Sequence, residues 1–234
     1  MTLEMYAPPR VADEVYYPES DGQSMAESDF QRDQLSYSVE ALKVYFQDRA
    51  DVYVSGNLFV YYKKGDPKCV VAPDVFVVMG VPNRKRKSYR LWNEGDQAPD
   101  WVLEITSEAT QTEDQGSKRG LYAFLGVREY FQFDPTQDYL EPPLQGLKLV
   151  GRNYEPLPAH TLADGTLSIY SDVLGLEVRM VKDELRFFDP ARQQWLRSLA
   201  EAQAFAETEA NARRKAEAEI ERLRAELARL RGER

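Results

Sequence analysis

The sequence predicts an α/β domain with a mixed central sheet flanked by helices, followed by extra C-terminal strands and a long charged helix. Residues 36–134 follow the order helix, three strands, helix and strand, which is typical of α/β layers rather than of a sandwich or a bundle. Of the 234 residues, 43% are hydrophobic and 12% aromatic, enough to build a core. After Pro190 there is no proline, and no glycine until Gly232, so one helix is predicted there.

The elements follow in order from the N-terminus. Residues 1–33 are rich in Pro, Asp, Glu and Ser and hold eight acids and two bases, which predicts a flexible acidic arm. A short helix follows from about Ser36. The next segments are three strands, a helix and a fourth strand: Val52–Tyr62 with a kink at Gly56, Val70–Met79, Trp101–Ile105, Ala109–Leu125 and Glu129–Phe133.

The C-terminal half is predicted to hold short strands and then the helix. The strands are Lys148–Val150, Thr166–Tyr170, Leu176–Val181 and Leu185–Phe188, with a tight turn at Asp164-Gly165. The helix spans about Ala191 to Leu230, within a predicted segment 191–234 that carries equal numbers of acids and bases after residue 200. Ile220, Leu223, Leu227 and Leu230 form a short heptad seam, which predicts a coiled coil through residues 195–230 with a second copy or a partner helix. A solvated single helix is the alternative.

Composition excludes several classes of protein. Cys69 is the only cysteine, so no disulfide framework and no Cys/His zinc cluster can form, and a reducing cytoplasm is the expected setting. No run approaches the roughly 18 to 20 apolar residues that span a bilayer, and the N-terminus lacks a secretory pattern. His160, the one histidine, lies in a turn-like segment without a nucleophile motif, so Ser-His or Cys-His chemistry is not expected.

The net charge of −9 is unevenly distributed. The arm accounts for −6, and the middle of the chain contains a basic cluster from Arg84 to Arg90. Global charge governs steering and solubility and does not exclude a local phosphate contact. The cluster is equally compatible with a solvated hairpin tip.

Two acids lie in apolar runs and point to metal chemistry. Glu104 sits within Trp101–Ile105 and Asp74 within Val70–Met79. A buried, unpaired carboxylate costs several kcal/mol or shifts its pKa, and coordination to a cation removes that cost. Two such acids on neighbouring central strands can converge on Mg²⁺, with Mn²⁺ as a substitute. The alternative is that each acid meets solvent or an arginine at a strand end.

A polar row on the second helix adds a lysine. Thr110, Asp114, Lys118 and Tyr122 recur every four residues and so lie along one side of that helix. Lys118 can reach the metal site and stabilise developing negative charge. An ordinary surface ion pair between Asp114 and Lys118 is the alternative.

Three blocks of sequence carry a family resemblance. They are Ala72-Pro73-Asp74-Val75-Phe76, Val102-Leu103-Glu104-Ile105-Thr106-Ser107, and the stretch from Lys118-Arg119-Gly120 to Arg128-Glu129-Tyr130-Phe131. In order and spacing the chain resembles the Uma-two family of endonucleases, of the PD-(D/E)XK superfamily, over roughly residues 34–190. The resemblance implies a restriction-endonuclease-like core, with segment 34–190 as the nuclease-like domain.

The resemblance also implies roles for individual residues. Asp74 would be the motif aspartate, Glu104 the second acidic metal ligand and the Ile105 carbonyl a third. The usual lysine two residues after the glutamate is replaced by Thr106, so Lys118 would supply it from the following helix. Glu40, on the first helix, would be an extra acidic residue.

Asp100 also follows a proline, so it is a second candidate for the motif aspartate. It lies four residues before Glu104, about 13 Å away along a strand at roughly 3.3 Å per residue. That separation is too large for one metal, so Asp74 is the better ligand.

The sequence therefore predicts a Mg²⁺-dependent endonuclease that hydrolyses nucleic-acid phosphodiester bonds, with DNA as the preferred substrate and no membrane partner. The second hypothesis is a non-catalytic nuclease-fold scaffold that acts through its C-terminal helix, favoured by Thr106 and by the acidic net charge. A two-carboxylate glycosidase is less favoured because it would leave Lys118 without a role.

Overall fold

The computed structural model describes residues 15–19, 28–106 and 116–232. Its helices are α1 (Asp29–Tyr45), α2 (Ser117–Leu125) and α3 (Leu199–Gly232), with a 3₁₀ turn at Leu91–Asn93. The strands are β1 Val52–Ser55, β2 Val60–Tyr61, β3 Val70–Val71, β4 Val75–Met79, β5 Tyr89–Arg90, β6 Trp101–Ile105, β7 Glu129–Phe133, β8 Leu144–Val150, β9 Asn153–Pro156, β10 Ala159–Thr161, β11 Leu167–Ser171, β12 Leu176–Val181, β13 Glu184–Asp189 and β14 Gln194–Trp195.

The central sheet is mixed, and with the flanking helices it confirms the predicted α/β class. Its strand order is β1-β4-β6-β7-β8-β9. The pair β6–β7 is parallel and the other neighbours are antiparallel. Parallel neighbours require a crossover connection, and the β6–β7 connection contains α2. A second sheet, β10-β11-β12-β13-β14, supplies the extra C-terminal strands.

Both faces of the central sheet are buried. Trp101, Leu103 and Ile105 of β6 belong to the core that includes α1 and the second sheet. Val102 of the same strand belongs to a second core with Tyr122 of α2. Because side chains alternate along a strand, the even-numbered residues of β6 lie on the α2 face.

Helix α1 begins at Asp29, earlier than the sequence predicts and inside the segment predicted as the arm. Ser28 caps it: the Ser28 hydroxyl accepts from the Gln31 amide, and the Gln31 side chain accepts from the Ser28 amide. This capping box satisfies backbone groups that the first turn would otherwise leave unpaired. Most of the arm lies outside the described residues, but residues 15–19 dock on the domain, where Tyr17 is buried.

The predicted kink at Gly56 is a close approach between two backbone segments. Strand β1 ends at Ser55, and β2 begins only at Val60. A Cβ atom at Gly56 would overlap the backbone carbonyl oxygen of Asp74. Only glycine allows this close packing. The contact fixes the position of the backbone at Asp74, immediately before β4.

The C-terminal helix begins at Leu199, eight residues later than predicted. The intervening residues include β14, which pairs with β13. A second capping box marks the helix start: the Ser198 hydroxyl accepts from the Glu201 amide at 3.1 Å, and the Ser198 amide donates to the Glu201 carboxylate at 2.8 Å. None of the residues of α3 is buried.

Within the part of the chain that the structure describes, no helix has the length and apolar character needed to cross a bilayer.

Candidate active site

A row of polar side chains crosses three neighbouring strands on the α2 face of the central sheet. The antiparallel register pairs Val75 with Leu103, and one step further it brings Asp74 opposite Glu104. The parallel register pairs Glu104 with Gln132. Directly opposed side chains have Cβ atoms about 5 Å apart, so the two carboxylates and the amide form one cluster. The two predicted acids are therefore brought together.

Asp74 is fixed by the backbone of its neighbouring strand. Its carboxylate accepts a hydrogen bond from the Ile105 amide at 2.7 Å. The turn that contains Gly56 packs against its carbonyl oxygen from behind. The Asn57 amide also donates to the Pro73 carbonyl at 3.0 Å. The position of Asp74 is thus set by backbone contacts on both sides.

Glu104 is fully buried and contacts two side chains of α2. The Lys118 ammonium lies 2.9 Å from one carboxylate oxygen, and the exposed fraction of the Lys118 side chain is 17%. The Tyr122 hydroxyl donates to the other oxygen. Lys118 and Tyr122 are four residues apart on one helix face, as the predicted polar row requires. The other two residues of that row, Thr110 and Asp114, lie outside the described residues.

The electrostatics keep Tyr122 protonated. Burial raises the pKa of the Tyr122 hydroxyl well above 10, and the negative charge of Glu104 raises it further. Tyr122 is therefore a hydrogen-bond donor at all physiological pH values. The donor and the Lys118 cation together stabilise the ionised form of Glu104 against the cost of its burial.

The carbonyl of Ile105, the predicted third ligand, lies at the end of β6 beside Asp74. It accepts a hydrogen bond of 3.2 Å from the side-chain amide of Gln31. Gln31 is thus the α1 residue that reaches the site. Glu40, for which the sequence suggested an acidic role, is exposed on α1 nine residues further on, on the opposite side of the helix at 100° per residue.

Gln132 is a polar group that the sequence did not identify with the site, and Thr106 stands at the position of the usual lysine. Gln132 is 3% exposed and Thr106 is 1% exposed. The Gln132 side-chain nitrogen and the Thr106 hydroxyl find no hydrogen-bond partner among the described residues. A glutamine between Phe131 and Phe133 in a buried strand was the available signal, but a single strand does not reveal which neighbour it faces.

Asp100 has a structural role at the opposite end of β6. Its carboxylate accepts from the Met79 amide at 2.7 Å and pairs with Arg128 at 3.5 Å. Its carbonyl accepts from the amides of Arg128 and Glu129. These contacts close the β4–β6–β7 junction, far from Glu104.

The basic cluster is engaged within the protein. Arg86 is buried and pairs with Glu94 at 2.9 Å, and its guanidinium stacks on Tyr53 at 4.1 Å. Arg84 pairs with the same carboxylate at 2.7 Å. Both guanidinium groups therefore support the fold.

The donor set fits a divalent cation. Two carboxylates face each other across adjacent strands, a main-chain carbonyl lies at the same strand end, and hard oxygen donors of this kind bind Mg²⁺ and Mn²⁺. Within residues 15–19, 28–106 and 116–232, no group of three or more Asp, Glu, His or Cys side chains is placed to hold a metal ion. Among these described residues the site offers the two acids Asp74 and Glu104.

Comparisons with known proteins bear on the chemistry. The sequence profile of the Uma2 family, described as "Putative restriction endonuclease", matches residues 10–180. A crystal structure of a "putative nuclease belonging to DUF820" from Anabaena variabilis aligns with a TM-score of 0.43 and 16% identity, over 63% of this chain and 75% of that chain. A comparison with curated proteins finds no match.

Proposed function

This chain belongs to the Uma2 family, and we propose that it is a metal-dependent endonuclease that hydrolyses phosphodiester bonds of nucleic acid, DNA in preference. The observation that carries the proposal is the buried Glu104 carboxylate, which lies opposite Asp74 and against Lys118. An acid pair with an adjacent cation at the end of a sheet is suited to phosphoryl transfer, where negative charge develops on oxygens. The family description supports a nuclease role.

Asp74 and Glu104 would hold the ion, with the Ile105 carbonyl as a third donor. Mg²⁺ or Mn²⁺ bound there would lower the pKa of a coordinated water and neutralise charge on the phosphate. The Ile105 carbonyl oxygen has two lone pairs, so it can coordinate the ion while it accepts the hydrogen bond of the Gln31 amide. Gln31 would then help to orient this third donor.

Lys118 and Tyr122 have separate tasks. Lys118 is the partly exposed member of the pair, so its ammonium can leave Glu104 and contact a phosphate oxygen. Tyr122 is buried and keeps its proton, so it holds Glu104 in one orientation. The buried amide of Gln132, next to Glu104 in the register, is a further donor in the polar row.

The test is cleavage of plasmid and oligonucleotides with Mg²⁺ or Mn²⁺ by the wild type, Asp74→Ala and Lys118→Ala. Matched controls are Asp48→Ala and Lys215→Ala, which remove the same charges at exposed positions. Cleavage should require metal and fall about a thousandfold in the two site variants, equivalent to roughly 4 kcal/mol of transition-state stabilisation. Equal cleavage by site and control variants contradicts the proposal.

The scaffold function remains the second candidate, because α3 extends 34 residues with no buried side chain. Ile220, Leu223, Leu227 and Leu230 are 47–59% exposed at heptad spacing, which favours pairing with a second copy or a partner helix. Folded wild-type protein that cleaves no substrate but forms a dimer through α3 would favour this function. A cytoplasmic setting suits both functions, since the one cysteine is unpaired within the chain.

A further inference from the structure

An open groove runs between the outer side of α2 and the β8–β9 turn. Its volume is about 620 Å³. The lining consists of two arginines, three small residues, two aromatic residues and one asparagine: Gly116, Arg119, Gly120, Ala123, Phe124, Arg152, Asn153 and Tyr154. None of these described lining residues is acidic, although the chain as a whole carries a net charge of −9.

One wall is exposed helix backbone. Gly116, Gly120 and Ala123 are spaced by four and three residues, so they form one stripe along the helix. A Cβ atom added at Gly120 would meet nothing within 4 Å. Packing inside the protein therefore does not require glycine at this position, and its absent side chain leaves the wall open to a ligand.

Two arginines face the groove from opposite walls. The Arg119 guanidinium donates to the Tyr154 carbonyl at 3.2 Å, which holds it across the groove floor. Tyr154 is itself anchored through its hydroxyl to the Val127 carbonyl at 2.8 Å. Arg152 is exposed in the β8–β9 turn. Guanidinium groups bind phosphate oxygens bidentately, so the groove complements a chain of phosphates.

Phe124 adds an aromatic surface at the rim. Its exposed fraction is 80%, the largest among the exposed large hydrophobic residues of the described chain. Proteins bind unpaired nucleotides by stacking bases on aromatic rings and pairing phosphates with cationic side chains. The solvent-exposed phenyl ring of Phe124 and the two arginines provide both kinds of contact.

The groove and the candidate active site lie on different sides of α2. Gly116 precedes Lys118 by two residues, about 3 Å along the helix axis at 1.5 Å per residue. Lys118 faces the sheet, and the groove stripe lies roughly 140–160° around the helix from it. The groove is therefore a surface of α2 distinct from the one that contacts Glu104.

We propose that this groove binds a single nucleic-acid strand, with Arg119 and Arg152 on phosphates and Phe124 on a base. This assignment rests on the proposed nuclease function and adds the substrate form, an unpaired strand. It also identifies a binding surface separate from the metal ligands.

The test is fluorescence anisotropy of a labelled single-stranded oligonucleotide in EDTA, so that no cleavage occurs. Gly120→Glu fills the groove with a negative charge and should weaken binding at least tenfold, whereas Gly120→Ala leaves it open and should bind like the wild type. Arg152→Glu should weaken binding at least tenfold, and Arg214→Glu, an identical charge change on exposed α3, should not. Phe124→Ala should lose roughly fivefold or more, against no loss for Tyr170→Ala.

The slope of log Kd against log salt should fall by about 0.7 for each phosphate contact removed. Circular dichroism of each variant confirms the fold. Wild-type protein that does not bind single strands, or groove variants that bind as tightly as their matched controls, overturns the assignment, as does equal competition by blunt duplex.

Glu104→Gln separates this assignment from the proposed catalytic function. That variant should keep wild-type affinity in EDTA. If the groove variants lose binding but the wild type cleaves nothing, the groove assignment stands and the proposed nuclease function is contradicted. If the groove variants bind and cleave like the wild type, the nuclease function stands and the groove assignment is contradicted.

Discussion

Two buried carboxylates on adjacent strands of the central sheet have opposite surroundings. Glu104 on β6 is 0% exposed and Glu129 on β7 is 1% exposed. Glu104 faces α2 and contacts the Lys118 ammonium and the Tyr122 hydroxyl. Glu129 faces the second sheet, where it accepts from the Ser171 hydroxyl and from the amides of Asp172 at 2.9 Å and Val173 at 3.3 Å.

The difference shows that burial alone does not identify a catalytic acid. Glu129 is held by donors that belong to a packed turn between β11 and β12, where the Ser171 hydroxyl also accepts from the Leu174 amide at 3.1 Å. Glu104 is held by a lysine that is partly exposed, and it has a second carboxylate, Asp74, opposite it in the register. A partly exposed cation and a paired acid distinguish Glu104 from Glu129, and the proposed catalytic role rests on these two features.

The largest predicted difference between the two carboxylates is in the rate of metal-dependent cleavage. Glu104→Gln should reduce metal-dependent cleavage about a thousandfold, since a neutral amide is a poor ligand for a hard divalent cation. Glu129→Gln should leave cleavage within roughly a factor of two, a change of about 0.4 kcal/mol. Initial rates on one oligonucleotide at saturating Mg²⁺ measure both.

Thermal melting provides the control, because both variants must be folded at the assay temperature. Equal losses of activity in the two variants would show that the two carboxylates do not differ in function.

The second predicted difference is in stability, where substitution of Glu129 should have a larger effect than substitution of Glu104. Glu129→Ala leaves the Ser171 hydroxyl and two amides without an acceptor and should lower the free energy of unfolding by about 3 kcal/mol. Metal-free Glu104→Gln should change it by less than about 1 kcal/mol, because Lys118 can extend into water and repulsion with Asp74 is relieved. Urea denaturation in EDTA measures both, with Glu184→Ala as an exposed control.

A larger loss for Glu104→Gln than for Glu129→Ala would place Glu104 among the structural carboxylates, and it would favour the scaffold function.

The sequence could predict those elements whose cause is local. Strands β6 and β7 match their predicted bounds because both are buried on both faces and so are composed mainly of apolar residues. The hairpin turn at Asp164-Gly165 is also present, with Gly165 at φ +86° as a tight turn requires. The assignment of Asp74, Glu104 and Lys118 to the site rests on the acids in apolar runs, the polar row on α2 and the family resemblance, and it stays a prediction.

Features with a non-local cause could not be predicted. The register that places Gln132 beside Glu104 depends on how β6 and β7 align after the α2 crossover, which neither strand specifies. Strand β14 exists because Trp195 pairs with Phe188 across the sheet and Arg179 stacks on both rings. Glu129 and Glu104 look alike in the sequence, since each sits in a buried strand, and only the tertiary partners separate them.

The smallest predicted effect is a pH dependence of the free energy of unfolding that is caused by Glu129. Burial raises the pKa of the Glu129 carboxyl above its usual value of 4.5, although the Ser171 and backbone hydrogen bonds oppose this. Folding therefore favours the protonated acid. The stability that Glu129 contributes is fully present below pH 4.5 and is lost as the pH rises through its folded-state pKa. Glu129→Gln cannot ionise, so its free energy of unfolding, measured in urea, should gain relative to wild type from pH 4.5 to 7. Parallel curves would mean that the hydrogen bonds fully offset the burial, and Glu129 would then resemble Glu104 in carrying a stabilised charge.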